Sequence, residues 1–402
     1  MSRNSELLIA GVVSYTMKVI VGMSGGVDSS VAAYLLKTQG YEVEGVSFIL
    51  DERTGRTLPP GCFSTESFLD AEKSAARIGI AHTVVNLKEA FSAHVIDPFI
   101  DTYMKGLTPN PCILCNARIK FSHLRSIAEE RDAEFIATGH YARIHRRASG
   151  QKESGIRGDG ESLFCTTPFH RLTHSLLMKG IDTRKDQSYV LYMLTHDQLD
   201  RLLLPLGEKT KDEVREISGE LGLPSSGKAE SQEICFVGGR DYAGFLDNVA
   251  KGAEGPVIEA ETGRILGRHK GIHLYTIGQR RRLGIATGRP LYAVRIDPSE
   301  KAVYVGTKDA AMKRGFVVEE VNWMISPSAS GPAGGYSTFR ATVKIRSTMK
   351  DEAATLVCND QRNVHVLFDE PQWAPAPGQS AVFYHGDFVV GGGVIAGVND
   401  IL

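Results

Sequence analysis

No stretch limits the fold of this chain more than residues 19–30, reading Val-Ile-Val-Gly-Met-Ser-Gly-Gly-Val-Asp-Ser-Ser. Val19 to Val21 is an apolar, β-branched run without polar alternation, the mark of a strand buried on both faces. It breaks at Gly22, Gly25 and Gly26 follow, and Val31 to Leu36 opens a helical pattern that stops at Gly40. Strand, glycine-rich turn and helix in that order make an anion cradle. The glycines let the backbone approach a phosphate, and the first helical turn points its N–H groups at it. Ser24, Ser29 and Ser30 add hydroxyl donors. Two familiar loops are excluded: no lysine follows Gly26 as Gly-x4-Gly-Lys-Ser/Thr demands, and the stretch lacks Gly-x-Gly-x-x-Gly. An ordinary strand–helix turn is the plain alternative.

Downstream, strands and helices alternate. Val43 to Ile49 reads as a strand, Ser64 to Ile78 as a helix, His82 to Leu87 as a strand and Phe91 to Tyr103 as a helix. A helical stripe from Ile119 and a strand over 134–137 follow. This alternation predicts an α/β fold with a doubly wound parallel sheet, whose ligands sit at the carboxyl ends of strands, where the glycine turn lies. The polar segment 146–161 reads as a flexible loop, and helices are expected from Tyr189 to Leu194 and from Lys211 to Leu221. From about Gly255 the pattern changes to short strands and glycine turns, at 292–305, 342–346, 364–368 and 380–384, which predicts a small β-barrel. A chain of 402 residues suits two or three domains. The expected division is an extension over 1–16 before the natural start at Met17, an α/β domain over 17–225, a central domain over 226–308 and a C-terminal barrel over 309–402.

The net charge of −1 gives no whole-chain attraction to nucleic acid, so such a partner must be met by local basic patches. Arg280, Arg281 and Arg282 form one, and Lys344, Arg346 and Lys350 another. No apolar run approaches the ~20 residues of a membrane span, and the start is too weakly charged for a signal peptide. Cysteines at 62, 112, 115, 165, 235 and 358 are too sparse for a disulfide scaffold and suit a reducing compartment, so the cytoplasm is expected.

Cys112 and Cys115 are spaced to meet one metal, form a disulfide or act as a redox pair, and Pro109 and Pro111 stiffen the approach to them. A cysteine pair in a surface turn is the alternative. His140 follows a strand end, and Lys185 suits a phosphate or RNA contact or a solvated helix start. Cys235, inside Ile-Cys-Phe-Val, reads by periodicity as a small core residue.

Together these motifs resemble the bacterial and organellar tRNA-specific 2-thiouridylases, of the ATP-pyrophosphatase (PP-loop) superfamily. The resemblance runs from about Lys18 to Gly393. It rests on Gly22 to Ser29, Thr108 to Asn116 with Ile119 to Phe121, Ala137 to Tyr141, Lys185 to Gln187, Ser231 to Val237, Thr276 to Gly284 and Pro377 to Tyr384. It implies a PP-loop domain, a small central mostly-β domain that contacts tRNA and a C-terminal β-barrel. It also implies an enzyme that adenylates the C2 oxygen of the wobble uridine with ATP and Mg²⁺ and then replaces that oxygen with sulfur. By the same resemblance Gly22, Met23, Ser24, Gly25, Gly26, Val27, Asp28, Ser29, Phe48 and Gly139 would contact ATP. Cys235 would carry a persulfide from an upstream donor, a cysteine desulfurase or sulfur-relay protein, and Cys115 would release that sulfur as sulfide or by forming a Cys115–Cys235 disulfide. Asn110, Pro111 and Cys112 would line the target base in the anticodon stem-loop, and His140, Lys185, Asp186, Gln187, Arg346 and Gln379 would face the tRNA.

Two departures matter. Cys112 stands where some members carry an aspartate proposed as the acid/base, and Ser347 where an aromatic is common. With three thiols, Cys112, Cys115 and Cys235 could instead hold a [4Fe-4S] cluster with one open iron. The persulfide route is the expectation. An AMP-forming ligase on a small substrate leaves the cysteines and the arginine turn without work, and a non-enzymatic tRNA-binding or iron–sulfur carrier leaves the glycine turn unexplained.

Overall fold

The structure, a computed structural model, describes residues 16–50, 65–146, 175–224, 234–237, 242–325, 337–358 and 362–398. Almost all of the expected extension and of the 146–161 loop lies outside them, as do Cys62, Cys165 and the Ser231 to Glu233 part of the second cysteine motif.

The first sheet has five parallel strands: β1 (Lys18–Gly22), β2 (Glu42–Ile49), β3 (Ala81–Asn86), β4 (Phe135–Ala137) and, beyond an antiparallel hairpin of β5 (Ala142–His145) and β6 (Leu176–Lys179), β7 (Leu202–Leu203). The order is β3-β2-β1-β4-β7, so the chain reverses direction across the sheet between β1 and β4. Val19, Ile20 and Val21 are fully buried in the middle of it, which is why β1 shows no polar alternation. A crevice opens at such a switch point, outside the carboxyl ends of the strands. Gly22 ends β1 there and Thr138-Gly139 follows β4.

Helices α1 (Val27–Thr38) and α2 (Thr65–Ile78) cover the sheet, and Lys37 Nζ closes the end of α2 by donating to Ile78 O (2.6 Å) and Gly79 O (2.8 Å). A second path runs through α3 (Lys88–Phe91), a π-helical turn at Ser92–Ile96 and α4 (Asp97–Met104). A third runs through α5 (Pro111–Leu114), a π-helical turn at Cys115–Lys120 and α6 (Phe121–Glu130). Pro111 occupies the first helical position, where its missing N–H costs nothing, so both cysteines of the Cys-x-x-Cys pair stand on helix rather than in a loop. Capping boxes start α7 (His196–Asp200) and α8 (Lys211–Glu220), through Thr195 with Gln198 and Thr210 with Glu213.

One expected helix is absent from its place. Tyr189 to Leu194 gives a single 3₁₀ turn, Ser188–Val190. The carbonyls of Tyr192 (2.7 Å) and Leu194 (3.5 Å) accept from Asn322 Nδ2 instead of from a following helical turn. Tertiary partners have outbid local propensity.

After α9 (Tyr242–Val249) the central domain is a sheet of β8 (Gly255–Glu259), β9 (Ile265–His269), β10 (Tyr292–Asp297) and β11 (Ala302–Gly306) in the order β10-β11-β8-β9. The C-terminal strands are β12 (Met312–Trp323), β13 (Ser337–Lys344), β14 (Glu352–Cys358), β15 (Val364–Trp373), β16 (Ser380–His385) and β17 (Phe388–Gly397). They pair in the order β12-β15-β14-β13-β16-β17, and β17 returns to β12, which closes the barrel as the pattern of short strands predicts. Val364, Val366 and Phe368 alternate into a core with Phe316 and Phe383, while the residues between them face outward. Phe388 of β17 also pairs with Met178 of β6, so a hairpin of the first domain extends the barrel sheet.

Candidate functional site

The glycine turn is held open by its own hydroxyls. Ser24 N–H donates to Ser29 Oγ (3.1 Å), and Ser29 and Ser30 donate to Gly26 O at 3.3 and 3.0 Å. Gly26 is the N-cap of α1 and no side chain caps it, so the helix presents its first N–H groups to the crevice. Gly25 has φ +75°, and a Cβ there would lie 2.0 Å from Ser67 O. Gly139 closes the other wall: a Cβ would lie 2.6 Å from the Asp28 carbonyl carbon and 2.7 Å from Ser29 N. Only glycine lets β4 approach the turn this closely. From below, Met23 is fixed by Ser47, whose Oγ donates to Met23 O (2.7 Å) and meets His82 Nε2 (2.8 Å). The serine proton goes to the carbonyl, so His82 donates through Nε2–H. Burial lowers the His82 pKa against the pull of Glu72, consistent with a neutral ring.

Asp28 leads to a residue that sequence reasoning passed over. Its Oδ1 accepts from Tyr141 OH (2.7 Å) and from Lys211 Nζ (2.6 Å). Lys211 is only 3% exposed although it stands on the first turn of α8, and its ammonium also lies 5.7 Å from the Tyr141 ring. The backbone N–H of Lys211 donates to Asp182 Oδ2 (3.0 Å), which fixes the helix start. The cradle thus offers backbone N–H groups, hydroxyls and a buried cation to an anion.

The thiols form a second focus. Cys115 is buried and Cys235 half-buried, and both pack in one apolar cluster with Phe91, Phe99, Ile119, Phe236 and Phe245. Periodicity alone placed Cys235 in a core, and it does line one; what it lines is shared with Cys115. Cys112 is exposed on the preceding turn. Phe48, at the carboxyl end of β2, packs on the same cluster and on the core that Ile20 and Val46 share, edge-on to His123 (6.4 Å). Beside Cys115, Asn116 is buried in the π-helical turn with Nδ2 donating to Val190 O (3.1 Å). Such turns recur at functional sites because they re-aim side chains. Among the described residues no three His, Cys, Asp or Glu side chains gather closely enough to hold a single metal ion.

The remaining expected residues divide by how their polar groups are used. His140 shares a 2.7 Å hydrogen bond with Thr138 Oγ1 and lies over Phe121; burial, with Lys120 nearby, pushes its pKa down to about 3, so it is neutral. Gln187 Oε1 accepts from Tyr141 N–H (2.9 Å), and Asp186 accepts from Gly180 and Ser188 N–H (3.1 Å each) and from Ser188 Oγ (3.0 Å). Lys185 is half-buried beside them. Asn110 caps no N–H at the start of α5. Arg346 donates to Ala374 O (2.9 Å) and Ile277 O (3.3 Å), and Gln379 donates to Thr108 O and Pro109 O. Arg280, Arg281 and Arg282 are exposed.

Profiles of known families match all three parts of the chain. One described as a tRNA methyl transferase HUP domain matches residues 17–239, one described as a tRNA methyl transferase PRC-barrel domain matches 243–307, and one described as an aminomethyltransferase beta-barrel domain matches 313–395. The chain is 45% identical over 383 residues to tRNA-specific 2-thiouridylase MnmA 2 of Caldanaerobacter subterraneus subsp. tengcongensis, covering 94% of this chain and 97% of that protein. It is 43% identical to tRNA-specific 2-thiouridylase MnmA of Moorella thermoacetica, covering 95% of this chain and 100% of that one. To the protein of that name from Clostridioides difficile it is 41% identical, covering 94% and 98%.

Proposed function

The chain belongs to the tRNA-specific 2-thiouridylase family, and from that premise we propose how its site puts sulfur on a tRNA uridine with ATP. The observation that carries the reading is the apolar cluster that Cys115 and Cys235 share, on which Phe48 of β2, the strand beside β1, packs.

The cradle binds the ATP phosphates through the first N–H groups of α1 and the hydroxyls of Ser24 and Ser29, with Lys211 balancing their charge. Mg²⁺ would neutralise phosphate charge, and Ser24, Ser29 and Asp28 are the hard oxygen donors at hand to complement phosphate and water ligands. The C2 oxygen of the uridine attacks the α-phosphorus and pyrophosphate leaves. The terminal sulfur of a Cys235 persulfide then attacks C2, and the C2–O bond breaks with departure of AMP. Cys115 as thiolate attacks Cys235 Sγ and breaks the S–S bond. The electron pair passes to the sulfur on C2, leaving 2-thiouridine and a Cys115–Cys235 disulfide for an external thiol to reduce. The deprotonated sulfur is the reactive form in each step, the terminal persulfide sulfur in the first and the Cys115 thiolate in the second. Burial of Cys115 keeps water from the intermediate. Cys112, which is exposed, would meet the base or a proton, and His140, Lys185 and the Arg280–Arg282 turn would meet the RNA.

The test uses purified protein, substrate tRNA, ATP and a persulfide donor, with nucleosides read by mass spectrometry. Cys235→Ala and Cys115→Ala should each abolish 2-thiouridine while tRNA binding and tRNA-dependent ATP–pyrophosphate exchange persist. Full thiolation by either variant refutes the assignment.

A further inference from the structure

The barrel turn at residues 377–379 is bonded to the approach of the cysteine helix. Thr108 N–H donates to Pro377 O (2.8 Å), and Gln379 Nε2 donates back to Thr108 O (3.2 Å) and Pro109 O (3.1 Å). Gly378, with φ +91°, lies against the same peptide, and a Cβ there would stand 2.8 Å from Thr108 N. The turn is itself framed by the barrel. Gly378 N–H donates to Ile395 O and Ile395 N–H to Gln379 O, both at 2.8 Å. One residue on, Ser380 O accepts from Tyr189 OH (2.8 Å). On the other side, Thr108 and Pro109 run directly into Pro111, the first residue of α5. Two prolines fix φ over this span, so a shift of the Thr108 and Pro109 carbonyls reaches Cys112 and Cys115 with little slack. An amide spent on two backbone carbonyls is built to hold a segment still.

We propose that Gln379 is a positioning residue of the barrel, which sets the place of the cysteine helix and through it the rate of sulfur transfer. The effect on rate rests on the thiolation reading above; the effect on the helix does not. Because small misplacements of reacting groups cost up to ~10²-fold, the loss should fall on kcat.

The test compares the full-length protein with Gln379→Met, which keeps the side-chain length without a donor, and Gln379→Lys, which restores one. Three quantities are read: tRNA affinity by filter binding, single-turnover thiolation, and the rate of Cys115 alkylation by iodoacetamide, mapped by peptide mass spectrometry. Gln379→Met should slow thiolation about ten- to hundredfold, leave tRNA affinity in place and speed alkylation of the buried Cys115. Gln379→Lys should return both rates toward wild type. Gln379→Asn, which keeps the amide but falls short of the carbonyls, should repeat the loss and serves if the Met variant does not fold. Weakened tRNA binding with thiolation per bound tRNA and Cys115 alkylation unchanged would make Gln379 an RNA contact and overturn the proposal, as would no change in any quantity. Failure of the wild type to thiolate would refute the reading above, and the alkylation rates would still decide the role of Gln379.

Discussion

Lys211 is the residue on which the chemistry of the cradle turns most sharply. An ammonium this deeply buried is stable only with a partner, and it has Asp28 Oδ1 at 2.6 Å and the Tyr141 ring beside it. Asp28 keeps 35% of its side chain exposed, so the pair meets the crevice on one side and the core on the other. Lys211→Met should cost about 2 kcal/mol in urea unfolding, the worth of a hydrogen bond to a charged group, and should lower ATP–pyrophosphate exchange through a higher KM for ATP. Unchanged stability and exchange would show the pair to be idle. Asp28 was legible in the sequence because the glycine turn points to it. Lys211 was not, since 183 residues separate the two and nothing in the amphipathic pattern of the helix ties its first lysine to the glycine turn. The signal available was weak: the capping box at Thr210 fixes the helix start and so the direction of the side chain that follows.

At the scale of elements, the strand ends do the positioning. β1 supplies the turn, β4 brings Gly139 against it, and β2 holds it from beneath through the relay from His82 to Ser47 to Met23 O. Gly45 belongs to the same packing: a Cβ there would lie 2.5 Å from Met23 Sδ, so β2 gives up a side chain to seat the methionine. Ser47→Ala removes the donor to Met23 O and leaves His82 Nε2–H facing a methyl group. The expected cost is about 1–2 kcal/mol in stability, with a several-fold rise in KM for ATP and little change in the rate at saturating ATP. A titration of exchange rate against ATP concentration checks this, and a fall in the saturated rate alone would contradict it. The parallel sheet was legible because strand and helix patterns alternate along the chain, starting from the apolar run of β1 that ends at Gly22. The segment 189–194 misled because Tyr-Val-Leu-Tyr-Met-Leu is one continuous apolar run, yet its burial serves a barrel more than a hundred residues further on. The Cys-x-x-Cys spacing announced a pair, while the partner that shares its cluster, Cys235, could not be read from spacing at all.

In the whole molecule the three domains meet through side chains that sequence reasoning would assign to RNA. Asp186 accepts three hydrogen bonds and faces Lys344 Nζ of the barrel at 3.7 Å. Lys179 of the hairpin bonds both oxygens of Asp351 at 2.9 Å. Arg346 of the barrel donates to Ile277 O of the central domain and Ala374 O of its own, and burial lowers its pKa while nearby Tyr189 raises it. No pattern along the chain marks such junctions, because each joins residues far apart in sequence. The assignment has a measurable consequence. A side chain that neutralises a phosphate releases a counterion, so its removal reduces the slope of log affinity against log salt by roughly 0.9 in duplex regions and 0.7 in single strands. A side chain spent on backbone carbonyls does not. Arg281→Gln, on the exposed turn, should therefore flatten the salt dependence of tRNA binding by about that amount and leave thermal stability alone. Arg346→Gln should lower the midpoint of thermal unfolding and leave the salt slope where it is. A reduced slope in the Arg346 variant would instead put this guanidinium on the RNA, and the junction would then be a by-product of holding the arginine in place.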